Sequence, residues 1–171
     1  MTQPTAKGAR RITLLALLTA IALIIFMVEA QIPPPIAIPG VKLGLANIIT
    51  VYAVFTLGAG DALLILVARI VLGAMFSGQM MTVFYSLGGG LLAWAAMLAL
   101  KKLLTREQIW LCSPVAAVFH NIGQLTVAAA FMKTWAVMAY LPYLLLAGVA
   151  AGLFTGLCAQ FLIRHLERLG L

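Results

Sequence analysis

Between Arg11 and Glu29 the chain runs for seventeen residues without a charge, and long uncharged runs recur to its end. A helix of about 20 apolar residues crosses the hydrocarbon core of a bilayer. Backbone in lipid must satisfy its own hydrogen bonds, which leaves helices and closed barrels as spanning structures. These runs are helix-length, so the fold class expected is all-α: a polytopic membrane protein. Only 9% of the 171 residues are charged, against about 25% in a soluble domain. Six spans would use roughly 120 positions, so residues 1–171 are expected to form a single integral membrane domain.

The spans are expected near Ile12–Ala30, Lys42–Gly58, Ala62–Ser77, Met80–Leu100, Cys112–Met132 and Tyr140–Ile163. The first resembles a signal peptide, with Lys7, Arg10 and Arg11 before an apolar run. That run exceeds the usual apolar region of about 7 to 15 residues and further spans follow it, so it reads as a retained helix. With the N-terminus in the cytoplasm, Lys7, Arg10, Arg11, Lys101, Lys102, Arg106, Arg164 and Arg168 fall inside, and only Lys42 and Lys133 outside. This matches the positive-inside rule, and an even number of spans places the C-terminus in the cytoplasm too. The net charge of +7 is explained by this clustering between spans, so no nucleic-acid partner is expected.

Two features would shape the bundle. The segment Gln31–Val41 holds four prolines, which cannot continue a helix and favour an extended path. It either folds over the outer mouth of the bundle or forms an interfacial linker. Small residues mark close approaches: Gly148, Gly152 and Gly156 repeat every four residues, a spacing that suits internal helix packing. Gly88, Gly89 and Gly90 suit either a close crossing or a local break beside a ligand. Ala16 and Ala20 form a second small face on the first helix, with Thr13 one turn earlier.

Ionisable groups within spans are expensive and tend to face the bundle interior. Arg69 lies near the middle of the third span, would cost roughly 2.5 to 3.5 kcal/mol if unpaired, and cannot shed its proton. Glu29 and Asp61 are the acidic residues within reach of a span, Asp61 standing about 12 Å along the same helix. Three environments suit Arg69: a structural ion pair or carbonyl cap, an anionic ligand, or an interface reached by snorkelling. In the fifth span Ser113, Ala117, His120 and Gln124 share one helical face, with Asn121 at its border. That polar face serves either interhelical hydrogen bonds or a ligand, with Asn47, Tyr85 and Ser86 as partners in both cases.

Several functions lack their residues. A polyprenyl diphosphate synthase needs clustered aspartates to hold magnesium against diphosphate, and this sequence has one Asp. His165 in the cytoplasmic tail cannot readily join His120 as a haem ligand. No P-loop, Ser/His/Asp grouping or dinucleotide motif occurs, and Cys112 and Cys158 have no zinc or disulfide spacing. No catalysis, metal or cofactor is expected; binding or passage of a small molecule is.

The stretches Ile38–Ile48, Phe84–Gly90 and Val118–Gln124, with the Gly148/Gly152/Gly156 helix, resemble the Gx transporter family, which is also labelled heptaprenyl diphosphate synthase component I. The resemblance covers Arg10 to about Leu166. That family is similar to the substrate-binding S components of energy-coupling factor (ECF) transporters, six-helix proteins that bind vitamins or their precursors from outside. The resemblance implies an S-component-like bundle in the cytoplasmic (inner) membrane of a prokaryote, energised in trans by a transmembrane coupling subunit and ATPases. Ala16 and Ala20 would dock on that subunit, and the proline-rich loop with Val41–Asn47 would cover the pocket, although Gly44 and Asn47 depart from the more acidic versions in vitamin binders. The expected binding residues are Asn47, Arg69, Tyr85, His120, Asn121 and Gln124. Relatives are also associated with flavin-linked redox systems, so the alternative is a non-catalytic subunit of prenyl-quinone synthesis or of such a system.

Overall fold

The computed structural model describes residues 4–31, 44–78, 80–105 and 107–168, with side chains from residue 8 onward except that of residue 30. Of the expected proline-rich segment only Gln31 is among them; Lys42, Gln79 and Arg106 also lie outside the described residues. Six α-helices follow in order: α1 (Pro4–Gln31), α2 (Asn47–Thr56), α3 (Ala59–Ser77), α4 (Thr82–Lys101), α5 (Cys112–Met132) and α6 (Leu141–Arg168). Short 3-10 turns, Ile109–Leu111 and Trp135–Tyr140, lead into α5 and α6. The fold is all-helical, with no strand among the described residues.

Five of these helical stretches are long and apolar enough to cross a membrane. The second expected span, Lys42–Gly58, differs: its helix has ten residues, a rise of about 15 Å and half of the ~30 Å core. Gly44 takes φ +68°, a left-handed conformation that an α-helix cannot contain, so α2 starts only after it. At the other end Gly58, with φ +111°, turns the chain directly into α3. Among the described residues, then, six apolar helices are present, five of them long enough to cross a membrane and α2 shorter.

Helices α4 and α5, and α5 and α6, run antiparallel, brought together by glycine. A Cβ on Gly123 of α5 would stand 2.5 Å from the Gly88 carbonyl of α4, and one on Gly89 2.6 Å from the His120 carbonyl. The triple glycine is thus a close crossing inside an unbroken helix. On α6 a Cβ on Gly148 would stand 2.5 Å from Asn121 Nδ2, one on Gly152 2.6 Å from Pro114 Cα, and one on Gly156 would collide with the Trp110 carbonyl. All three contacts are within the chain.

These contacts place the starts of α1, α3 and α5 and the ends of α2, α4 and α6 at one end of the bundle. Arg11 at the start of α1 pairs with Asp61 in the first turn of α3, where a carboxylate also favours the helix dipole. Lys101 Nζ, at the end of α4, donates to the Val54 carbonyl near the end of α2 at 2.6 Å, and Trp94 Nε1 donates to Ala59 O at 3.1 Å. Gln160 of α6 accepts from Trp110 N and donates to Glu107 O. Arg10, Arg11, Lys101, Lys102, Arg164 and Arg168 share this end with Lys133 at the other; it is the end where the positive-inside rule expects the cytoplasm, and it is called the cytoplasmic end.

The apolar core occupies the cytoplasmic half. Leu15, Leu18, Val51, Val54, Ile65, Met97, Ile109 and Ile163 pack there as one cluster. Toward lipid the bundle presents Leu14, Leu17, Ile21 and Ile24 of α1. Trp135, Tyr140 and Tyr143 are exposed at the outer end, where amphipathic rings suit the headgroup level.

Candidate functional site

Helix α2 starts at Asn47, and its first residue faces a cavity in the outer half of the bundle. This cavity, of about 120 Å³, is bordered by residues of all six helices. Its polar lining is formed by Glu29 of α1, Asn47 of α2, Arg69 of α3, Thr82 and Ser86 of α4, Ser113, His120, Asn121 and Gln124 of α5, and Thr155 of α6.

Glu29 organises the mouth of α2. It is only 6% exposed, and its two carboxylate oxygens accept from the backbone N–H groups of Gly44 at 2.6 Å and Leu45 at 2.9 Å. Ala46, at the cap position, offers no side-chain acceptor, so this carboxylate from another helix supplies the negative charge that a helix start favours. The absence of a side chain on Gly44 also leaves room for the Asn47 amide, which would lie 3.2 Å from a Cβ there.

Arg69 enters from α3 beside the buried Ile70. Its Nε is buried, with no hydrogen-bond partner among the described residues. Asp61 is committed to Arg11, and Glu29, whose charge Arg69 feels, forms no ion pair with it among the described residues. A guanidinium that lines a polar cavity with its Nε unused is able to hold an anionic group by charge-assisted hydrogen bonds.

On α5, Gly89 of the facing helix makes room for the His120 imidazole, since a Cβ there would fall 2.9 Å from Nδ1. Asn121 both lines the cavity and ties α5 to α6, donating from Nδ2 to the Leu144 carbonyl at 2.6 Å. Below it Ser113 and Thr155 share a buried hydroxyl pair at 2.8 Å, and Thr155 also bonds the Gly152 carbonyl.

Five of the six expected binding residues, Asn47, Arg69, His120, Asn121 and Gln124, line one cavity. Tyr85 is not in its lining; the ring lies edge-on to Phe131 with centroids 5.9 Å apart, and the adjacent Ser86 borders the cavity instead. Consecutive helical residues point about 100° apart, so Ser86 and Tyr85 cannot share a direction. Ala16 and Ala20 are exposed on α1, while Leu15 and Leu18 face the core. Sequence reasoning treated Glu29 only as a countercharge for Arg69 and passed over Thr82 and Thr155. The readable signal for Glu29 was an acidic residue at the end of an otherwise uncharged run.

The sequence model of a family described as heptaprenyl diphosphate synthase component I matches residues 18–162. The chain belongs to this family. The match spans α2 to α5 entirely, and with them most of the cavity lining. No curated protein and no solved structure matches the chain.

Proposed function

We propose that this protein is the membrane-embedded binding component of a transport system, taking a small, vitamin- or precursor-like molecule into the outer half of its bundle. The observation that carries the reading is the polar cavity lined by Arg69, whose buried Nε has no hydrogen-bond partner among the described residues, set in a protein whose other half is packed with apolar side chains. A group meant only to brace helices would find a fixed partner, because buried charge without one is costly. In this reading Arg69 neutralises an acidic group of the ligand, while Asn47, His120, Asn121 and Gln124 provide directional hydrogen bonds. Tyr85, off the lining, takes no direct part in this reading. The protein catalyses nothing itself; energy comes in trans from a transmembrane coupling subunit, docked on the exposed Ala16 and Ala20, and its ATPases. The setting is the inner membrane of a prokaryote.

The family's name favours a second reading, a membrane subunit of polyprenyl diphosphate synthesis. The only aspartate, Asp61, is held by Arg11 at the cytoplasmic end. In that role the chain would accompany a catalytic subunit that brings its own magnesium site. A subunit of a flavin-linked redox assembly is the related possibility.

Mass spectrometry of the protein purified in mild detergent tests the leading reading. A retained small polar molecule, lost from Arg69→Gln, is the expected result. Co-purification with a prenyl synthase or a flavoprotein, and no bound small molecule, would replace it with the second.

A further inference from the structure

Glu29 and Arg69 line the same cavity from α1 and α3, carry opposite charges, and form no ion pair with each other. Each has unused hydrogen-bonding capacity. Among the described residues Arg69 Nε has no hydrogen-bond partner, and each Glu29 oxygen accepts one backbone N–H, whereas an ionised carboxylate offers about four acceptor positions. We propose that the cavity receives a compact zwitterion, its carboxylate on Arg69 and its ammonium group on Glu29. This rests on the binding reading above and names the ligand's class.

The charge balance favours a dipolar guest. A simple anion would satisfy Arg69 but face the Glu29 carboxylate across a confined space, where like charges repel strongly. A simple cation would meet Arg69 in the same way. A molecule with both charges complements both residues and adds no net charge to the membrane interior, where unpaired charge is expensive. Size narrows the class further. The cavity measures about 120 Å³, and a cavity of about 150 Å³ holds benzene, so the enclosed part of the guest is no larger than a small amino acid. A long isoprenoid chain does not fit, and Asn47, Asn121 and Gln124 offer it hydrogen bonds it cannot use.

The test is calorimetric titration of the full chain in nanodiscs with three probes of similar shape: L-alanine, isobutyrate, in which a methyl replaces the ammonium, and isopropylamine, in which a methyl replaces the carboxylate. L-alanine is expected to bind at least about tenfold more tightly than either. Glu29→Gln, which keeps an oxygen for the backbone, should erase the preference over isobutyrate; Arg69→Gln should erase the preference over isopropylamine. The three-probe comparison on the unaltered protein stands even if a variant fails to fold. Mass spectrometry of any molecule retained through purification should find both an acid and a basic nitrogen. Isobutyrate binding as tightly as L-alanine, or a retained molecule without a basic nitrogen, would overturn the zwitterion and leave the binding reading intact. No response to any probe together with no retained molecule would remove both.

Discussion

Glu29 and Arg69 border one cavity in the outer half of the bundle, where the carboxylate accepts from the backbone of Gly44 and Leu45 rather than from Arg69. Among the described residues Arg69 Nε has no hydrogen-bond partner. Arg69→Met is expected to keep or raise thermal stability, by up to about 3 kcal/mol, the scale of the cost of an unpaired arginine at mid-membrane. Retained ligand should be lost at the same time. Thermal unfolding followed alongside mass spectrometry checks both, and a lower midpoint with ligand retained would show that Arg69 braces helices.

The α4–α5 crossing has no spare volume at Gly123, where a Cβ would stand 2.5 Å from the Gly88 carbonyl and 2.8 Å from Leu92 Cδ1. Gly123→Ala should destabilise by about 1–3 kcal/mol, the usual range for overpacking. Gly60→Ala, where nothing lies within 4 Å, is the matched control and should leave the unfolding midpoint unchanged or higher.

Ser113 and Thr155 form a buried hydroxyl pair between α5 and α6. Thr155→Val leaves the Ser113 hydroxyl without this partner and should cost about 1–3 kcal/mol, whereas the double variant Ser113→Ala, Thr155→Val should recover part of that loss. A double-mutant cycle in detergent measures the coupling. Purely additive losses would show that the hydroxyls do not stabilise one another.

Lys101 closes the end of the short helix α2 through the Val54 carbonyl, with its ammonium 5.9 Å from the centre of the Phe55 ring. Lys101→Met removes a charge-assisted hydrogen bond of about 1.5–3 kcal/mol. Amide exchange of Leu57 and Gly58, which donate to Ala53 O, should accelerate, while amides in the middle of α5 should not change. Uniform protection across the variant would mean that the turn is held by packing alone.

Arg11 and Asp61 join the starts of α1 and α3, but the arginine side chain is 66% exposed. Exposed ion pairs contribute little and are screened by salt. Arg11→Gln should therefore lower the unfolding midpoint only slightly, with the difference shrinking as salt is raised. A large drop in midpoint that persists at high salt would show a second role for Arg11.

The all-helical membrane fold was readable from the sequence because lipid tolerates few structures: uncharged runs of helix length have to become helices, and the basic residues between them show which end faces the cytoplasm. The same logic marked Arg69 and the His120–Gln124 face, since polar groups in such runs must turn inward. Tertiary packing decided the rest. The second apolar run is long enough for a span, but with Gly44 left-handed and the Glu29 carboxylate bound to the backbone there, its helix starts only at Asn47, beside the cavity. Neither fact has a signature in hydropathy, which counts transfer from water and is blind to where a helix begins. Spacing likewise placed Tyr85 near the polar residues but could not say which side of α4 faces them; the crossing at Gly88 and Gly89 fixed that rotation. Composition settled the solvent in which this chain folds, while the contacts between its helices settled where the space within it lies.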